Sequence, residues 1–255
     1  TVRASYGGNG NDNLGTYFAY QGLYNIVNSL GKGGTITQRL ATQDLKWETN
    51  LNFNLGLDFS VLNGRVAASI EYFNRQSKDL LFTMPMALST GYNGYDANVG
   101  ALQNKGIDLD IRTTPIRTAN FRWNLDLNLS HYKNTITELP NNNKEIPSGN
   151  KRLQVGGSIY DFYIPTWAGV DPSNGNPLWY TADAQGKNSG MTTSEYGKAG
   201  LFTQGSSLPD LVGGVTNSFT YKNFDLSALL SYSLGGKILD RDYIQLMHNG
   251  SNIGR

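Results

Sequence analysis

Residues Leu45 to Ser60 alternate between apolar and polar almost without a break. Leu45, Trp47, Thr49, Leu51, Phe53, Leu55, Leu57 and Phe59 hold one parity. Lys46, Glu48, Asn50, Asn52, Asn54, Gly56, Asp58 and Ser60 hold the other. Strand side chains point to opposite faces with a period of two, so the spacing predicts one long strand with an apolar and a polar face. Its length exceeds the about five or six residues of an ordinary strand and meets the ~9–11 that a tilted strand needs to cross a bilayer. A face rich in Asn, Asp and Lys must meet water or a polar lumen.

The same pattern recurs. After Val61-Leu62-Asn63-Gly64, whose Asn-Gly is a strong hairpin signal, Val66, Ala68, Ile70 and Tyr72 continue the apolar face. Arg65, Ser69, Glu71 and Arg75 continue the polar one. Ile107, Leu109 and Ile111 alternate with Asp108, Asp110 and Arg112. A short connection is expected from Pro115 to Asn120. Phe121, Trp123, Leu125, Leu127 and Leu129 then alternate with Arg122, Asn124, Asp126, Asn128 and Ser130. A third hairpin runs from about Leu211, turns at Lys222-Asn223, and returns through Phe224, Leu226, Ala228, Leu230, Tyr232 and Leu234. Val2 to Gly7 reads as the tail of one more strand.

Connection lengths alternate. Those at Asn63, near Arg117 and at Asn223 are short; those between Leu81 and Asn104 and between Leu139 and Pro209 are long. Short turns at one end and long loops at the other are what outer-membrane barrels show. The expected fold is therefore all-β: an antiparallel transmembrane β-barrel segment of about seven or eight strands with long extracellular loops. Trp47, Phe59, Tyr72, Phe121, Trp123, Tyr221, Phe224 and Tyr232 sit near strand ends and are candidate membrane-interface aromatics. Lys46, Glu48, Asp58, Arg65, Glu71, Arg75, Asp108, Asp110, Arg112, Arg122 and Asp126 would line a wide, solvated lumen.

Composition narrows this further. The chain has 255 residues with a net charge of +1, so no nucleic-acid partner is indicated. Its 30 glycines and 15 tyrosines favour turns and aromatic strand surfaces. A mean hydropathy of −0.41, without a long apolar run, excludes a helical membrane protein but not a barrel. The absence of cysteine removes disulfides, thiolate metal sites and cysteine nucleophiles.

No catalytic or metal site, and no cofactor, is expected. His131 and His248 are far apart and lack metal-ligand spacing. His131 falls on the apolar parity, at the upper membrane edge. Gly31-Lys32-Gly33-Gly34-Thr35 lacks the Walker spacing and is expected to be a loop. Asp171, Ser173 and Asn176 lack the EF-hand ligand order and read as a turn. What remains is recognition by loops. Tyr92 and Tyr95 in one long loop, and Tyr160, Tyr163, Trp167, Trp179 and Tyr180 in the other, are candidate substrate or partner contacts. Such aromatics suit sugars, suit a protein interface, or pack the loop itself.

Specific residues also resemble a family. Leu45-Lys46-Trp47-Glu48 looks like the "LKWE" signature of SusC/RagA-type TonB-dependent outer-membrane transporters. Asn98-Val99-Gly100, then Asn104-Lys105-Gly106-Ile107-Asp108-Leu109, resembles that family's strand entry. Gly169-Val170-Asp171-Pro172 with Gly175-Asn176-Pro177 is similar to its "GVDP" loop. Pro209 to Gly214, Tyr221 to Phe224 and Gly235-Gly236 look like its late-barrel hairpin, and Arg3 to Gly7 with Gly10-Asn11 is a further match. The resemblance implies a segment of a 22-stranded barrel in the outer membrane of a Gram-negative bacterium. It also implies energy from a TonB complex, a SusD-like lipoprotein partner, and an oligosaccharide or peptide substrate. Residues 1–255 would all belong to the barrel, without a plug domain, and membrane lipid would surround them. Gln43-Asp44 stands where the family often has Asn-Pro. Two rival readings are a soluble carbohydrate-binding β-sandwich and a free-standing small barrel.

Overall fold

The computed structural model describes residues 1–15, 18–92, 94–140 and 144–246. His248 lies outside the described residues. In chain order the strands are β1 (Val2–Asn11), β2 (Leu23–Ser29), β3 (Lys32–Arg39), β4 (Glu48–Val61), β5 (Val66–Lys78), β6 (Leu81–Pro85), β7 (Gly94–Asn98), β8 (Ala101–Arg117) and β9 (Phe121–Glu138). They continue as β10 (Glu145–Ser148), β11 (Lys151–Gln154), β12 (Asp161–Pro165), β13 (Trp167–Val170), β14 (Pro177–Ala182), β15 (Asn188–Thr193), β16 (Leu201–Ser206), β17 (Leu211–Tyr221) and β18 (Phe224–Leu234). A short helix, α1 (Arg241–Leu246), follows.

The long strands form one antiparallel sheet of seven, in the order β1-β4-β5-β8-β9-β17-β18. The sheet does not close on itself. Its register keeps the two parities in continuous rows. Leu57, Ile70, Leu109 and Leu129 form one apolar row; Asp58, Ser69, Asp110 and Asn128 form the neighbouring polar one. β17 and β18 extend the apolar face with Val215 opposite Leu230 and Phe219 opposite Leu226.

This apolar face is open. Leu55 is 44% exposed, Leu226 65% and Leu230 67%. A β-sandwich would cover these residues with a second sheet, so that reading is excluded. The buried apolar side chains instead gather at the long-loop end, with Phe73, Met84, Ala101, Ile136 and Leu139 among them.

The expected hairpins are present, with two shifts in their bounds. Leu45 to Trp47 precede β4 rather than opening it. Pro115 is not in the connection but inside β8, where the register slips between Thr113 and Ile116. Proline donates no hydrogen bond and is tolerated at such a bulge. The Gly31–Thr35 stretch, expected to be loop, turns at Gly31 and then enters β3. There Gly33 and Gly34 pair with Asn28 and Val27 of β2.

The long connections build their own sheets: β10-β11-β12-β16, β13-β14-β15, β2-β3 and β6-β7. Single side chains fasten them. Asn98 accepts from the Lys46 N–H at 2.6 Å and donates to the Lys46 and Asp79 carbonyls at 2.7 and 2.9 Å. It thereby joins the Lys46-Trp47-Glu48 motif to the Asn98-Val99-Gly100 motif. Arg39 reaches the buried Asp96 carboxylate at 3.6 Å, tying the β2–β3 hairpin to β6–β7.

Candidate functional site

Two aromatic residues break the polar parity. Phe73 lies between Glu71 and Arg75 on β5, and Tyr132 lies on the same face of β9. Gly106 of β8 stands between them in register. A Cβ at Gly106 would collide with the His131 carbonyl and come within 2.8 Å of the Phe73 ring. The glycine therefore lets the rings close over β8, with centroids 6.5 Å apart. The Arg75 guanidinium sits 4.8 Å over the Phe73 ring, a cation–π contact.

The long loop docks onto this spot through Asn134, which is 2% exposed. Its amide donates to Asn104 Oδ1 at 2.8 Å. Its carbonyl accepts from Ser158 Oγ and the Ile159 N–H, both at 3.1 Å. Ile136 adds two backbone hydrogen bonds, its N–H donating to the Gly157 carbonyl and its carbonyl accepting from the Gly156 N–H. The loop so held places Tyr160 over the wall. A cleft of about 390 Å³ results, lined by Phe73, Arg75, Asn104, Asp108, Ser130, Tyr132 and Tyr160. It offers aromatic faces, a guanidinium, amide groups and a carboxylate, with Ser130 Oγ donating to Asp108. That set can hold a polar ligand with apolar patches without covalent chemistry. A larger concavity, about 770 Å³, lies toward the short-turn end around Asp58, Ser69, Asp110 and Arg112. It has no aromatic platform on the polar parity, so the smaller cleft is the better binding candidate.

The seven loop aromatics do not converge on one site. Tyr92 and Tyr95 lie half-buried beside and within the β6–β7 hairpin. Tyr160 lines the cleft. Tyr163 carries the Arg152 guanidinium at 4.1 Å. Trp167 and Trp179 meet edge to face at 5.8 Å, and Trp179 meets Tyr196 at 5.3 Å. Tyr180 lies beside them on β14, its N–H donating to the Thr166 carbonyl. Of the expected interface aromatics, Phe59, Phe121, Trp123, Tyr221 and Phe224 lie toward the short turns, where Trp123 stacks on Phe219 at 5.9 Å. Tyr72 stands at the other margin, opposite Ile107, and Tyr232 lies one apolar row lower, in line with Gly213, Leu129 and Leu109. Trp47 lies well beyond that margin, against Gly10. His131 is exposed on the outward parity, and its Nδ1 meets the Asp210 carbonyl.

Sequence reasoning missed the cleft and also Arg3. Arg3 binds Asp58 at 2.6 Å and Glu71 at 3.2 Å and donates to Ser69 Oγ at 3.2 Å. Its partner in register is Gly56, over which the guanidinium lies. Phe73 and Tyr132 on a polar parity, with Gly106 between the strands, were the available signal for the cleft. Among the described residues no group of three or more metal-type ligands gathers.

Asp171 holds the β13–β14 turn. Ser173 Oγ donates to it at 2.6 Å and keeps its carboxyl below the usual carboxylate range, helped by the Ser173 N–H and the Asn174 amide. A depressed folded pKa stabilises the turn fully above the unfolded value. That stabilisation is lost as the pH falls through the folded value. NMR titration is expected to show Asp171 below a peptide reference, and Asp171→Asn to abolish the acid-induced loosening. A peptide-like titration would contradict this.

A long antiparallel sheet with one open apolar face, and one polar face carrying a cleft, defines the wall of a membrane β-barrel. Residues 1–252 match the family described as TonB dependent receptor-like, beta-barrel, and the chain belongs to it. It is 29% identical to the TonB-dependent receptor SusC of Bacteroides thetaiotaomicron, covering 99% of this chain and 26% of SusC. It is 32% identical to TonB-dependent receptor P26 of Formosa agariphila, covering 93% of this chain and 26% of that one. Among solved structures it resembles the RagAB peptide transporter, with a TM-score of 0.78 and 28% identity over 91% of this chain and 26% of that one. The chain thus spans about a quarter of the length of these relatives. TonB-dependent receptors are outer-membrane β-barrel proteins, which accounts for an exposed apolar face.

Proposed function

We propose that the protein containing this chain is a SusC-like, TonB-dependent importer of nutrient oligosaccharides or peptides. Its partners on this reading are a SusD-like surface lipoprotein and the TonB complex. All of residues 1–255 then form barrel wall and extracellular loops. The observation that carries the proposal is the aromatic cleft on the polar face, covered by a loop docked through Asn134. A cleft there lies on the water side of the wall, where a solute descending from the loops would pass. The likeness to a receptor named SusC supports the class of importer, and the likeness to a peptide transporter supports the peptide part of that cargo.

Binding would be non-covalent. Phe73, Tyr132 and Tyr160 offer faces to apolar patches, while Arg75, Asn104 and Asp108 offer donors and acceptors to the polar rim. The test is uptake of labelled oligosaccharides and peptides by cells carrying the full-length protein. Uptake is expected to stop when the energy-coupling complex is removed. With Arg75→Ala plus Tyr132→Ala it is expected to fall about tenfold, the loss of one to two good contacts. Uptake that ignores the coupling complex would overturn the proposal.

A further inference from the structure

On the outward parity, the charges nearest the apolar rows occupy one place. Lys105 of β8 and Lys133 of β9 stand directly opposite each other in register. From the short turns up to the next row, Gln76 and Gln103, no Asp or Glu occupies that parity on any of the seven strands. The polar face, by contrast, mixes both signs. Like charges directly opposite on a sheet destabilise it. Neither lysine takes part in an ion pair among the described residues, and both are exposed. Asp161 and Asp210 line a recess beside Lys133. Asp161 is engaged with the Ser158 N–H, and neither carboxylate is within ion-pair distance of the lysine.

The height of the pair decides what it meets. From Ile116 to Ile107 the apolar parity of β8 runs about 30 Å at ~3.3 Å per residue. At a tilt of 35–45° that is roughly 21–24 Å along the membrane normal, close to the ~25 Å apolar band of outer-membrane barrels. The row Lys105–Lys133 stands one repeat above Ile107 and His131, about 5 Å beyond the band. Lysine stems lie along apolar surface while their ammonium groups reach the polar layer.

We propose that Lys105 and Lys133 together bind a phosphate group on a lipid of the outer leaflet. An anion between the two ammonium groups replaces their repulsion with attraction. The proposal rests on the membrane-spanning reading of the sheet. The full-length protein, purified in detergent, is titrated with diphosphoryl lipid A and with its dephosphorylated form, and bound lipid is counted by native mass spectrometry. The phosphorylated lipid is expected to bind more tightly. Lys105→Gln with Lys133→Gln is expected to weaken it by roughly 10- to 30-fold, while leaving the dephosphorylated lipid unchanged. Lys151→Gln, in the loop sheet, should leave both unchanged. Equal binding of the two lipids, or a preference that survives the double substitution, overturns the proposal. Failure of the membrane reading shows separately, as absence of the full-length protein from outer-membrane fractions.

Discussion

Replacing Ile111 with arginine is expected to destabilise the full-length protein by about 2–4 kcal/mol, the cost of a cation near the midplane on a lipid-facing strand. Ile111 sits in the row Ala68–Ile111–Leu127, about midway between the short turns and Ile107. Asp110→Arg one position back is expected to cost far less, because that side chain faces water and the polar row of Ser69 and Asn128. Ile116→Arg, near the short turns, should fall between, since the cost drops to ~0–1 kcal/mol at the interfaces. Urea unfolding of the full-length protein in lipid vesicles measures all three. Equal costs at Ile111 and Asp110 would remove the distinction between the two faces.

The second large effect belongs to Asn134. Its replacement by leucine strips partners from the Ile159 N–H, Ser158 Oγ and Asn104 Oδ1 at once, in a site where Asn134 is 2% exposed. Leaving buried polar groups unpaired costs about 2–4 kcal/mol here, counting more than one orphaned group. Amide exchange at Ile159 should accelerate by roughly 30- to 1,000-fold, the same quantity read locally. The seven-stranded sheet should keep its protection, because its ladder does not depend on this side chain. Unchanged exchange at Ile159 would show that the backbone bonds between Ile136 and Gly157 hold the loop alone.

The long strands were legible because each carries a strict period of two over many residues. β4, β5, β8, β9, β17 and β18 all show it. The pairings of β4 with β5, β8 with β9 and β17 with β18 were legible too, since a short turn joins each pair. The loop strands were not: β10 to β16 run only four to six residues each, too few for parity to stand out from composition. β2 and β3 carry Gly33, Gly34 and Asn28 where a strand usually carries β-branched residues. The Arg3–Asp58–Glu71 set was hidden for another reason. Its members come together through the register of β1 on β4, across 36 residues of intervening chain, and no local pattern encodes that offset. The cleft was half visible. Phe73 and Tyr132 on the wrong parity were a signal, but Tyr160 reaches them through a distant loop docked by Asn134 and Ile136.

That single asparagine also has a mechanical consequence. The sheet β10-β11-β12-β16 is fastened to the top of β9 by Asn134 together with the Ile136 backbone bonds. The finger of β13, β14 and β15 hangs from this sheet by a narrow neck. Its joint consists of the Tyr180–Thr166 and Gly200–Tyr180 backbone bonds and the Gln204–Thr166 side-chain bond. A hinge at this joint would fall at Thr166 and Gly200, and the aromatic tip formed by Trp167, Trp179 and Tyr196 would be the part that sweeps.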